Sequence, residues 1–171
     1  SSTYNALKQI LTETTPDKAV TTKTYNQRGA LATISVKLNG GTPQDVITKF
    51  VYDADDQKTL VTYGNKITTE YDYEDTTLNL LGIKSTKSDG TVVQNDVYVY
   101  DPMKNITRWH DYTFETVFNN NQQVTSQSDY TYDALYRLIT AVGRQHPGIN
   151  KNTYKNNSSS GDFKQSKFSK L

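Results

Sequence analysis

The sequence predicts an all-β fold, a twisted antiparallel sheet of consecutive β-hairpins, and three features carry that prediction. A Tyr-Asp phrase recurs, most plainly as Tyr98 to Ile106 and Tyr130 to Leu138. Each copy alternates aromatic and small residues, reaches Tyr-Asp, crosses a few turn-prone residues and resumes with an aliphatic side chain, which is strand, tight turn, strand. The chain is only 34% hydrophobic, and its 13 Tyr and 5 Phe supply much of the apolar mass. Tyr, Thr and Val all favour the pleated, half-buried surface of a sheet. Helical periodicity is scarce, whereas turn residues punctuate the chain at short intervals.

Tyr4 and Asn5 open a degenerate copy of the phrase, followed by a strand from Leu11 to Thr15 and a turn at Pro16-Asp17. Tyr25 and Asn26 open the second copy, which keeps Gly29 where the turn asks for a positive φ. Ala32 to Leu38 alternates, so Ile34, Val36 and Leu38 are expected on one face, and Asn39-Gly40-Gly41 signals a hairpin. Val46 to Tyr52 leads into the third copy at Tyr52-Asp53. Thr59 to Tyr63 continues as a strand, Gly64-Asn65 turns it, and Lys66 to Tyr73 returns, with the fourth copy placed at Tyr71-Asp72. Leu78 to Lys84 and Thr91 to Tyr100 flank a turn at Ser88-Asp89-Gly90. Tyr100-Asp101 and Tyr132-Asp133 are the last two copies.

Between those two, the even positions from Ile106 to Phe118, Tyr112 and Phe114 among them, are expected on one face, with Trp109 opposite. Residues 119–123 read as a polar loop, and Tyr130 to Tyr132 with Leu138 to Val142 as the last strand pair. Spacings of 19 to 32 residues between anchors imply hairpins laid side by side in one continuing sheet. Each Asp or Asn is expected to close its turn by accepting backbone N–H groups, and each Tyr to stack on the next repeat. Residues 1–149 form the repeat region, and 150–171, rich in Asn, Lys and Ser, a flexible linker or insertion loop.

A net charge of +1 leaves no global field to recruit nucleic acid or an acidic membrane. The last 21 residues carry +4 and the rest −3, and the tail's Lys residues, interleaved with Tyr154, Phe163 and Phe168, read as a solvated linker. The absence of Cys removes disulfides, thiolate metal sites and thiol nucleophiles together. No apolar run reaches membrane-spanning length, and the first residues lack a signal peptide's apolar core, so an export signal would lie elsewhere. The recurrence of Tyr-Asp argues against an active site, because a catalytic pair is needed once and a turn cap in every hairpin. Asp53, Asp55 and Asp56 lack the spacing of a cation loop, and neither His110 nor His146 has a second histidine at ligand spacing. No catalytic residue, metal or cofactor is expected. Trp109 and Tyr112 remain candidates for stacking a carbohydrate or peptide, the basis of an alternative reading as a binding module.

The phrase resembles the YD repeat of RHS-repeat proteins. In order, YNALKQILTETTPD, TYNQRGAL, LVTYGNKITTEYDYE, YVYDPMKNITRWHD and YTYDALYRLITAVGRQHPG look like the repeat-bearing B and C components of insecticidal toxin complexes, the Tc toxins. The resemblance covers about residues 3–149. It implies a β-strip that spirals into a hollow shell around a toxin polypeptide, a secreted setting, and neighbouring YD-repeat segments of the same or a partner subunit. Two departures stand out. The glycine of the phrase survives only at Gly29, with Asp56, Lys104 and Tyr136 in its place, and a Tyr at positive φ would be strained. The family's self-cleaving aspartates have no matching block here.

Overall fold

A computed structural model of the chain describes residues 1–119 and 122–143; the tail expected from residue 150, and His146, lie outside the described residues. The strands are β1 (Ser2–Tyr4), β2 (Ile10–Thr14), β3 (Val20–Tyr25), β4 (Leu31–Lys37), β5 (Gln44–Tyr52), β6 (Lys58–Tyr63), β7 (Thr68–Tyr73), β8 (Leu80–Thr86), β9 (Val92–Tyr100), β10 (Ile106–Asp111), β11 (Val117–Asn119), β12 (Gln122–Val124), β13 (Gln127–Tyr132) and β14 (Leu138–Val142). Twelve of them follow one another in the sheet order β1 to β10, then β13 and β14, while β11 pairs with β12. The described residues fall into two compact units, one of Ser1–Asp72 with Lys84–Val93, the other of Tyr73–Ile83 with the residues from Gln94 onward.

In the first unit each strand from β1 to β7 pairs antiparallel with the next. In the second, β9, β10, β13 and β14 do the same. One register detail recurs. Tyr4, Tyr25, Tyr52, Tyr100 and Tyr132 lie opposite the residue six positions on, and the next pair skips one residue. Such a bulge bends the strand and increases its twist. The repeated phrase therefore encodes a repeated irregularity as well as a repeated turn.

Directly opposed residues share a face of the pleat. In the first unit Phe50, Val61 and Thr69 share the tyrosine side, whereas Thr3, Thr12, Thr22 and Ser35 form a row of hydroxyls on the other. In the second, Tyr98, Trp109 and Ser128 oppose one another on one side, and Val97, His110 and Gln127 on the other. Burial is shallow on both. Val61, 1% exposed, is the fully buried large side chain among the described residues. Beside it the buried Thr69 and Ser85 hydroxyls bond each other at 2.8 Å. Among the described residues, strands in contact within each unit are hydrogen-bonded neighbours, so their cohesion runs along the sheet.

Three expectations are corrected. β10 ends at Asp111, whose carboxylate accepts the N–H of Thr113 at 2.9 Å and starts a turn, so Tyr112 and Phe114 leave the strand and its alternation. The polar loop expected at 119–123 instead supplies Asn119, Gln122 and Gln123 to the small β11–β12 hairpin. Leu38 lies past the end of β4 and is 65% exposed, apart from Ile34 and Val36, because its carbonyl already accepts the N–H of Gly41 in the next turn.

Candidate functional site: the Tyr-Asx turns

Each Tyr-Asx turn is built the same way. Asp101 shows it: its N–H donates to the Asn105 carbonyl, and its own carbonyl accepts the Lys104 N–H at 3.0 Å. Its carboxylate then accepts the N–H groups of Met103 and Asn105, each at 2.9 Å. Asn5, Asn26, Asp53 and Asp133 each take the same two N–H groups, two and four residues on. The side-chain oxygen thus satisfies donors that a tight turn leaves unpaired. The residue four after the tyrosine adopts a positive φ in every case: Lys8, Gly29, Asp56, Lys104 and Tyr136. This is a three-residue hairpin loop, a type I turn closed by a left-handed residue. The turn at Tyr136, in question from the sequence, has φ 60 and the same bonds as its sisters.

The fourth anchor is misplaced in the sequence reading. Tyr71 and Asp72 lie inside β7, where the Lys58 ammonium sits 4.3 Å from the Tyr71 ring centre and Asp72 is exposed. Glu74 closes the turn instead: its N–H donates to Asn79, and its carbonyl accepts the N–H of Leu78, which carries the positive φ. Tyr73-Glu74 is the phrase with one extra loop residue. The signal was the interval to the next aliphatic strand, not the Tyr-Asp dipeptide.

The tyrosines act through their hydroxyls rather than by stacking on the next repeat. Tyr25 donates to the Ile10 carbonyl at 2.9 Å and Tyr52 to Leu31 at 3.0 Å. Tyr100 donates to Leu80 and Tyr132 to Ile106, both at 2.7 Å. Every acceptor opens the second strand of the preceding hairpin, so each tyrosine rivets its hairpin to the one before. The turns are also laced directly. Gln9 donates to the Gly29 carbonyl at 2.7 Å, Arg28 to Asp53 at 2.9 Å, and Lys104 to Thr77 at 2.9 Å. Three junctions between hairpins share one register, the residue eight after one tyrosine facing the residue three before the next: Thr12–Thr22, Leu60–Glu70 and Arg108–Asp129. The β4–β5 junction carries a shift, with Ile34 opposite Ile47.

These bonds set the local electrostatics. The Asn105 side-chain amide, with the Asn105 and Met103 N–H groups, holds the Asp101 carboxyl below its ordinary range. The Arg137 backbone N–H does the same for Asp133, assisted by the Arg137 guanidinium at 2.6 Å. Burial pushes the Tyr100 and Tyr132 hydroxyls up. The Trp109 indole N–H is committed to the buried Asp96 at 2.8 Å, while the exposed Tyr112 stacks on His110 with ring centres 4.0 Å apart. His110 and Trp109 occupy opposite faces, so the two proposed stacking residues are not brought together. Among the described residues no group of three or more His, Cys, Asp or Glu is placed to hold a metal ion.

A ladder of Tyr-Asx hairpins, each riveted to the one before, defines an RHS-type, or YD-repeat, protein. Its sequence resembles the repeat region of Tc toxin subunits: it is 35% identical over 130 residues to toxin subunit YenC1 of Yersinia entomophaga and 37% identical over 129 residues to YenC2 of the same organism. Those alignments cover 73% and 72% of this chain and 13% of each relative, so the chain spans about an eighth of their length. A crystal structure of TcdB2–TccC3 with Cdc42 superposes with a TM-score of 0.77 at 37% identity, over 89% of this chain and 7% of that one. The Photorhabdus luminescens Tc holotoxin pore carrying TccC3 D651A matches with a TM-score of 0.77, 37% identity and the same coverage. No family model matches the chain.

Proposed function

We propose that this segment is a non-catalytic wall of a shell that encloses a toxin polypeptide in an extracellular Tc-type toxin complex. Its neighbours in that wall are further YD-repeat segments of the same or a partner subunit. The observation that carries this reading is the hydroxyl-to-carbonyl bond by which Tyr25, Tyr52, Tyr100 and Tyr132 each fasten one hairpin to the last. A sheet stabilised between neighbours extends without needing a thick core, which suits a thin barrier. The turn carboxylates support the non-catalytic part, since in each one oxygen is given over to accepting two backbone N–H groups, the work of a turn cap repeated from hairpin to hairpin. Containment would work by exclusion: proteases and solvent proteins stay outside while the passenger remains unfolded within.

The test is protease protection of the passenger in the full polypeptide that carries this segment. The expected result is a passenger that resists digestion until the wall is breached by an engineered protease site in the turn at residues 53–57. Digestion at the same rate with and without the breach would sink the reading.

A further inference from the structure

We infer that Asn39 and Gly40 form a site of spontaneous covalent modification, at which the chain converts itself through a cyclic imide into aspartyl and isoaspartyl forms, with water as the co-reactant. The turn between β4 and β5 holds the one Asn-Gly pair in the sequence. Ring closure needs a side-chain amide free to swing onto the next residue's nitrogen, and a next residue too small to block it. Both conditions are met. Asn39 is exposed, and its side chain makes no hydrogen bond among the described residues. Gly40 is exposed, its N–H makes no backbone bond among the described residues, and a Cβ built on it would meet nothing within 4 Å. The turn is closed by the bond from the Gly41 N–H to the Leu38 carbonyl at 2.9 Å, and two glycines in succession leave its backbone free to reorient.

Asparagines in the other turns are held. Asn5, Asn26 and Asn65 use their side-chain oxygens to accept backbone N–H groups, and the Asn105 amide donates to Asp101 at 2.9 Å. Ala6, Gln27, Lys66 and Ile106 follow them, and each puts a Cβ beside the nitrogen that would have to attack. At Asn39 the Gly40 nitrogen gives up its proton and attacks the side-chain Cγ. A Cγ–N bond forms, the Cγ–Nδ2 bond breaks, and Nδ2 leaves as ammonia with that proton. Water then opens the succinimide ring. Opening at Cγ gives aspartate; opening at the backbone carbonyl gives isoaspartate, with the main chain rerouted through Cβ and Cγ. Either product carries a carboxylate in place of a neutral amide, which lowers the formal net charge of +1 by one unit. The isoaspartyl form also lengthens the main chain by one methylene. Residues 38–43 lie outside both strands, so the extra carbon is taken up in the turn while β4 and β5 stay paired.

The test is a time course of peptide mapping by mass spectrometry on the purified chain, folded and in urea, at neutral and at mildly alkaline pH. An isoaspartyl methyltransferase with its methyl donor is the probe for the isomer. The peptide holding Asn39 is expected to convert before those holding Asn5, Asn26, Asn65 and Asn105, with isoaspartate in excess of aspartate. Conversion is expected to quicken as pH rises, since the attacking species is the deprotonated nitrogen. It is expected to proceed in the folded chain at a rate close to that in urea, since nothing in the fold holds the Asn39 side chain. Asn39→Gln, which would have to close a larger ring, is expected to lose the modification. Circular dichroism checks that this variant keeps the β-spectrum. No conversion at Asn39, conversion no earlier than at the four held asparagines, conversion confined to the unfolded chain, or an equal rate in Asn39→Gln would each overturn the inference.

Discussion

A turn carboxylate held ionised by backbone N–H groups makes stability depend on pH in a defined direction. Asp101 and Asp133 lie below their ordinary range in the folded chain, as do Asp17, through the Thr15 hydroxyl, and Asp89, through the Thr91 N–H. A depressed folded value means that the unfolded chain takes up protons first. The contribution is complete above the ordinary carboxylate range and is lost as pH falls below that range through the lowered folded values. Melting temperature followed from pH 7 to pH 2.5 is expected to drop along that limb. Asp101→Asn with Asp133→Asn is expected to flatten it while keeping the turns, because Asn5 and Asn26 already close theirs with an amide oxygen. Alanine at the same sites is expected to lower the melting temperature at every pH. The rivets give a second prediction: Tyr100→Phe is expected to cost about 1 kcal/mol in urea unfolding. Tyr4→Phe, with no acceptor among the described residues, is expected to cost nothing measurable. The turn role of Asp was legible because one carboxylate can reach only nearby N–H groups. The reach of the Tyr hydroxyl to another hairpin was not, since it depends on a register that no dipeptide states.

Hairpins differ in how much strain their loops carry. Gly29 holds φ 81, and Gly29→Ala is expected to cost about 1 kcal/mol, as a side chain in the left-handed region crowds its own carbonyl. Tyr136→Gly relieves the same crowding but loosens the unfolded chain, so a gain of at most about 1 kcal/mol in urea unfolding is expected. A different constraint acts at Gly64, where an added Cβ would lie 1.7 Å from the Asp45 carbonyl oxygen. Gly64→Ala must push β5 away from that turn and is expected to cost about 1–3 kcal/mol. The strands were largely readable, because Thr, Val and Tyr alternate between Gly, Asn and Asp punctuation. Tyr73-Glu74 was missed because Tyr71-Asp72 copies the dipeptide better, yet only Tyr73 sets Leu60 against Glu70 in the common register. The end of β10 was missed because its alternation continues on paper past Asp111, where the side chain turns the backbone.

At the scale of the molecule, cohesion is spread thinly. Val61 is the apolar side chain with most to lose, and Val61→Ala is expected to cost about 2 kcal/mol, from lost transfer energy plus a partly unfilled cavity. Surface pairs such as Arg108 with Asp129 at 2.7 Å contribute less, being half exposed. Half-burial on both faces was implied by a composition poor in aliphatics and rich in Tyr, but which residues share a face depended on bulges invisible in the sequence. The offset shared by three of the hairpin junctions has a further consequence for descent. Where hairpins meet eight-after to three-before, a stretch running from just after one tyrosine to the next can be excised or duplicated without disturbing what flanks it. Removing residues 26–52 would join Tyr25 directly to Asp53 and leave a complete phrase. Genes for such repeats can therefore lengthen or shorten by unequal exchange in whole hairpins, with the length of the sheet becoming a heritable quantity that changes in steps.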